Sequence, residues 1–219
     1  MLNSVTQVLV RSLLTYRIAI LFGVAAFSSC SSDNKSRDED PRISVVTTTT
    51  MITDMVKQIA GDKVQLTGLM GPGVDPHLYE PIPSDGIALS EADLIFYNGL
   101  FLEGQMTSDL KAQGGIDFGS TVSENLLKGQ KPHPDPHIWG NAEIWKNCVP
   151  LVVKELSDAD PQNSSHYRER GDHLIEVLRN LHQWSRSRVE SIPEESRILI
   201  TSHDAFEYFG EAYGFKVVA

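Results

Sequence analysis

Short runs of branched aliphatic and aromatic residues alternate along this chain with segments of helical periodicity, and that alternation permits few folds. Ile43 to Thr48 is rich in valine and threonine, Val64 to Leu69 is a second such run, and Leu94 to Tyr97 reads LIFY. Each has the length and composition of a strand. Between the first two, Ile52, Met55, Val56 and Ile59 fall at i, i+3, i+4 and i+7, one apolar face of a helix that Gly61 stops. The loop GPGVDPHLYEP, residues 71–81, follows the second strand, and a short helix opens after Pro83-Ser84 with the serine as its cap. Asn98-Gly99 closes the third strand. Strands alternating with helices predict βαβ units and an α/β fold with a mostly parallel sheet.

The second half of the chain continues the pattern at longer spacing. A loop carrying KPHPDPHIW, residues 131–139, leads into a helix from 142 to 156 that Pro150 should kink or split. Tyr167, Gly171, Leu174, Leu178 and Leu181 then recur at alternating steps of four and three, a single seam on one helix over 163–189. At 1.5 Å per residue it would be about 40 Å long. Pro193 ends it, and RILIT, residues 197–201, is a new strand. SHDAFEYFGEAYG supplies a loop and a helix with Phe206 and Phe209 facing inward and Gly214 as terminator, and residues 215–218 start another strand. The expected architecture is two open, mostly parallel-sheet lobes joined by a long backbone helix. The first lobe covers 42–160, the connecting helix 161–192, and 193–219 begins a second lobe that is incomplete in this chain. A strand at the C-terminus has no helix to cover its faces, and one βαβ unit buries too little to be stable alone.

The N-terminus has a different character. Arg11 and Arg17 precede ten apolar residues, Ile18 to Phe27, and Ser28-Ser29 leads into Cys30. A bilayer-spanning helix needs about 20 apolar residues, so residues 1–29 read as an export signal. Phe27-Ser28-Ser29-Cys30 resembles a bacterial lipobox with lipid on Cys30; the alternative is a plain signal peptide with an incidental cysteine. Residues 30–41 form a polar, flexible tether. The product is expected outside the cytoplasm, in a periplasm or at a cell surface, anchored to a membrane by lipid. Without the two arginines of the signal, 19 basic residues become 17 against 29 acidic, a net of −12. An acidic body of this kind repels phosphate backbones and suits a cation, so nucleic acid is not an expected partner. Cys148 is the sole cysteine besides Cys30 and reads as a small buried hydrophobe.

Three of the seven histidines sit where a strand or a proline-stiffened loop hands over to the next element: His77 in GPGVDPHLYEP, His137 in PHPDPHIW and His203 in ITSHDAF. Asp75-Pro76-His77 and Asp135-Pro136-His137 are the same tripeptide, and proline's fixed φ presents each imidazole at little ordering cost. Ligands of open α/β sheets bind beyond the carboxyl ends of the strands, where such loops gather. Neutral imidazole is the commonest zinc ligand and suits other first-row metals. Each histidine taken singly could simply face water. His133 and His137 are four apart, but Pro134 and Pro136 forbid the helix a metalloprotease pair needs. His133, His166, His173 and His182 read as surface residues, Trp139 and Trp145 as core, and Glu80 and Glu103 as exposed acids near the candidate site.

The stretches GPGVDPHLYEP, YNGLFLEG, DPHIW and TSHDAFEYFGEAYGF resemble the solute-binding proteins of zinc- and manganese-type ABC importers from about Arg42 onward. The resemblance implies His77, His137 and His203 as metal ligands and a fourth, usually a carboxylate, from the second lobe. It implies capture of a divalent ion, Zn2+ or Mn2+ with iron less favoured, by a monomeric, non-enzymatic protein that delivers it to an ABC permease and needs no organic cofactor. Many zinc-specific members carry a histidine-rich loop that this chain lacks, and many manganese-specific members have glutamate where it has His203. Three imidazoles tilt the reading slightly toward zinc. Two rivals remain: a zinc hydrolase or lyase with Glu80 as base, and a surface adhesin with incidental histidines.

Overall fold

Val45 and Phe96 point to one side of the first strands, and Val46, Ile95 and Tyr97 to the other; all five are buried. Apolar side chains on both faces are what a parallel sheet covered on both sides requires. The structure, a computed structural model, describes residues 40–130 and 132–218. The export signal with Cys30, and all but the last two residues of the tether, lie outside the described residues.

Strands β1 (Ser44–Thr47), β2 (Gln65–Gly68), β3 (Leu94–Tyr97) and the two-residue β4 (Ile116–Asp117) form one sheet in the order β2-β1-β3-β4. Every pair is parallel, with Val45 opposite Leu66 and Leu94, and Phe96 opposite Ile116. Helix α1 (Thr50–Ala60) buries Ile52, Met55, Val56 and Ile59, the expected face, and ends at Gly61 with φ 61°. On the opposite side of the sheet, Leu89 of helix α2 (Pro83–Ser90) and Leu110 of helix α3 (Thr107–Ala112) pack with Val46, Ile95 and Tyr97. The expected serine cap of α2 is replaced: the Asp85 carboxylate accepts the Ile82 N–H at 2.8 Å and the Tyr79 hydroxyl at 2.7 Å. A longer carboxylate three residues into the helix reaches the free N–H that the Ser84 hydroxyl does not.

Pro150 splits the next helix, giving α4 (Ala142–Lys146) and α5 (Val149–Ala159) with the proline in the first turn of α5, where its missing N–H breaks no bond. Helix α6 (Ser164–Glu190) runs 27 residues. It packs against α1, α4 and α5 through Tyr167, Gly171, Leu174 and Leu178, which are buried. Leu181, the last residue of the predicted seam, is exposed. His166 and His182 are half-buried, not at the surface: the first meets the Ala60 carbonyl at 3.2 Å and the second lies against Tyr213. Trp145 and Cys148 are core residues as expected, and burial pushes the Cys148 thiol up to about 12, so it stays protonated.

After α6, strand β5 (Ile198–Ile200), helix α7 (Glu207–Tyr213) and strand β6 (Lys216–Val218) form a parallel two-stranded unit. Gly214 ends α7 in the left-handed region at φ 77°. Tyr208 and Tyr213 face inward from this helix, while Phe206, expected inside, is 40% exposed just before the helix begins. Among the described residues no helix is long and apolar enough to cross a membrane.

Helices α5 and α6 meet where Gly171 leaves room: a Cβ there would lie 2.4 Å from Cγ2 of Val153. Gly171→Leu should therefore overpack this contact and lower stability by about 1–3 kcal/mol, read as a lower denaturant midpoint in chemical unfolding.

Candidate metal centre

The three singled-out imidazoles converge. Nε2 of His137 lies 3.2 Å from Nε2 of His77 and 3.2 Å from Nε2 of His203, and one ring nitrogen from each falls within 4.8 Å of the others. The segments that carry them are 60 and 66 residues apart, so the cluster is made by folding and not by local chelation. His137 is buried, His77 half-buried and His203 exposed. They line a cavity of about 680 Å³ with Phe101, His133, Asp204 and Glu207.

The repeated Asp-Pro-His tripeptide has a local physical role. Oδ1 of Asp75 accepts the His77 N–H at 2.9 Å, and Oδ1 of Asp135 accepts the His137 N–H at the same distance. Each aspartate thus closes a turn on the backbone two residues on, and the proline between them fixes φ. Asp135 does more, because its Oδ1 also lies 2.6 Å from Nδ1 of His137. A carboxylate only accepts, so in the neutral ring the proton sits on Nδ1 and Nε2 presents a lone pair to the other two rings.

That arrangement fits a small dication. Bonds of about 2.0–2.1 Å from imidazole to zinc place neighbouring tetrahedral ligand nitrogens roughly 3.4 Å apart, close to the 3.2 Å seen here. A cation at the centre satisfies all three lone pairs at once, whereas His137 alone can accept from one ring. Burial first, and then the neighbouring His137 ring, lower the pKa of His77 below 6.5, with Asp75 opposing. A neutral imidazole is the form that binds metal.

Other residues sit beneath the cluster. Glu103, read from sequence as an exposed acid, is fully buried. Its carboxylate accepts the Thr48 hydroxyl at 2.8 Å, the Asn98 N–H at 2.6 Å and the Gly99 N–H at 3.1 Å. Burial pushes its pKa up, and those donors pull it back. Asn98 donates from Nδ2 to the Pro136 carbonyl at 3.0 Å, and the Tyr208 hydroxyl donates to the Asp135 carbonyl at 3.0 Å. Sequence reading missed these supports; the signal available was an acid four residues after a glycine turn at a strand end. Glu80 is exposed and outside the cavity lining. His133 is exposed, with its ring edge-on to Phe101 at 5.1 Å.

A family model described as "Zinc-uptake complex component A periplasmic" (ZnuA) matches residues 45–219. The chain is 39% identical over 205 residues to the manganese-binding lipoprotein MntA of Bacillus subtilis, covering 91% of this chain and 67% of that protein. It is 40% identical over 189 residues to the zinc-binding protein TroA of Treponema pallidum, covering 84% and 61%. The solved structure of the periplasmic zinc-binding protein TroA from that organism superposes with a TM-score of 0.78 at 39% identity, over 81% of this chain and 66% of that one. The chain thus spans about two thirds of the length of the relatives it matches.

NMR of the metal-free protein checks the state of two of these rings. In metal-free protein, His77 should titrate below 6.5 by NMR. Because its lowered folded value makes the unfolded state bind the extra proton more readily, its contribution to stability is complete above 6.5 and is lost as pH falls through the folded value. Nitrogen shifts should report His137 protonated at Nδ1, a preference that Asp135→Asn weakens.

Proposed function

Since the chain belongs to the periplasmic zinc-uptake component A family, we propose that it is the solute-binding component of an ABC importer for a divalent transition metal. The observation that carries this reading is the trio of Nε2 atoms, with His137 3.2 Å from each of its neighbours. His77, His137 and His203 are the metal ligands in this proposal, and the ion is cargo. The relatives' names divide between zinc and manganese: TroA is named as zinc-binding and MntA as manganese-binding. Three imidazoles favour zinc modestly, because manganese prefers more oxygen donors.

In this reading Cys30 carries lipid and tethers the acidic body outside a bacterial membrane, and a single copy works with a permease and a separate ATPase. The chain's own residues supply binding and orientation. Asp75 and Asp135 stiffen the two histidine turns, and Asp135 holds the proton of His137 away from the ion. The exposed His203 is the ring a hydrated ion meets first, and the buried His137 the one it meets last. Binding displaces water and protons, and no step makes or breaks a covalent bond. The position of Glu80 outside the cavity supports carriage over hydrolysis.

The test is metal stoichiometry by elemental analysis, and zinc affinity by competition with a chromophoric chelator. One equivalent is expected, with capture weakening as pH falls below about 6, where protons compete for imidazole. Asp135→Asn should reduce affinity by about 10–100-fold, the usual effect of removing a partner that orients a ligand. Unchanged affinity after replacing His77, His137 and His203 together by alanine would sink the proposal.

A further inference from the structure

Beneath the imidazoles lies a buried acid that metal capture itself does not use. Glu103 has no exposed surface and is held by three neutral donors from two strand ends: Thr48 after β1, and Asn98 and Gly99 after β3. Burying a carboxyl group is costly unless its lone pairs are taken up, and here three donors take them up, so the position is built around a hydrogen-bond acceptor and not a filler. The turn it closes is strained. Gly99, Leu100 and Phe101 have φ of 75°, 53° and 66° in succession, and two of these are residues with side chains that disfavour that region. Such conformations persist where surroundings over-determine them, and they gather at functional sites.

What the turn touches gives the strain a purpose. At its start, Asn98 donates to the Pro136 carbonyl at 3.0 Å, directly before His137. At its end, a Cβ on Gly104 would lie 3.3 Å from the backbone carbonyl of His77, so the glycine lets the turn abut that loop. Between them, Phe101 lines the cavity the imidazoles share. One turn therefore braces both Asp-Pro-His loops from below, at the edge between β1 and β3 where the direction of strand succession reverses.

We propose that Glu103 is a positioning residue for the metal site: its carboxylate holds the 98–104 turn, and the turn sets the spacing of His77 and His137. The role rests on the metal-capture reading above. It predicts that removing one of these acceptor oxygens leaves every ligand present and displaces two of them together.

The experiment compares the unmutated chain with Glu103→Gln, using Zn2+ competition for affinity and the visible absorption of bound Co2+ for ligand geometry. The glutamine keeps the shape but replaces one acceptor oxygen by an NH2 group, so a donor faces either Thr48 and Asn98, which share Oε1, or Gly99, which uses Oε2. Affinity should fall about tenfold or more, as for other partners that orient ligands, and the cobalt bands should shift. Ile59→Val, a cavity in the remote core of α1, controls for general softening and should leave the bands in place. If Glu103→Gln fails to fold by circular dichroism, Asn98→Ala decides instead, since it cuts the link to Pro136 and spares the carboxylate. Wild-type affinity and bands in the folded variant, or bands that Ile59→Val shifts equally, overturn the role of Glu103 alone. An unmutated chain that binds neither ion overturns the metal reading, and this role with it.

Discussion

A parallel sheet delivers the carboxyl ends of its strands to one edge, and the main-chain groups and side chains just beyond those ends must find partners or face water. Here the requirement is met at β1 and β3 by one buried carboxylate. Thr48 leaves β1 and Asn98 leaves β3, and both give a hydrogen to Glu103. The turn that follows underlies the loops of His77 and His137, so the sheet edge and the imidazole cluster are consecutive layers of one construction. Apolar packing behind the sheet keeps these layers in place: α1, α4, α5 and α6 share a core that includes Ile52, Trp145, Leu156 and Tyr167.

The second layer is stiffened locally. In each Asp-Pro-His turn, proline removes one backbone freedom and aspartate ties down the N–H of the histidine. The turns differ in one respect that matters chemically. Among the described residues, Asp135 reaches the ring of its own histidine at Nδ1 whereas Asp75 bonds the backbone N–H, and Asp135 belongs to the more buried turn. The innermost ring is therefore the one whose tautomer a carboxylate fixes. Burial and the proximity of His137 keep His77 neutral to lower pH than a free imidazole.

Much of this was legible in the sequence, for identifiable reasons. Strand β3 occupies Leu94–Tyr97 as read, because a run of four apolar residues bounded by Asp93 and Asn98-Gly99 leaves no other placement. The buried face of α1, the split at Pro150 and the stop at Gly214 each follow from a local rule. The convergence of His77, His137 and His203 followed from their places on loops of an open sheet. Features set by tertiary partners stayed hidden. Among the described residues, the two-residue strands at Gly129–Gln130 and His133–Pro134 pair with each other alone, in a stretch whose sequence has no alternating pattern. Glu103 looked solvated because its three donors lie on the main chain and on a threonine 55 residues away. Leu181 and Phe206 broke the apolar pattern by facing out, which periodicity has no means to signal.

The Tyr208 hydroxyl has a geometric consequence. It donates to the Asp135 carbonyl and accepts the Lys128 N–H at 3.1 Å, while its ring is wholly buried on α7, the helix that follows His203. A single phenol thereby spans from the element behind one imidazole to the peptide unit two residues before another. A displacement of α7 that kept this bond would carry the Asp135 peptide with it, so one phenol ties the helix after His203 to the turn that bears His137, as a latch ties a door to its frame.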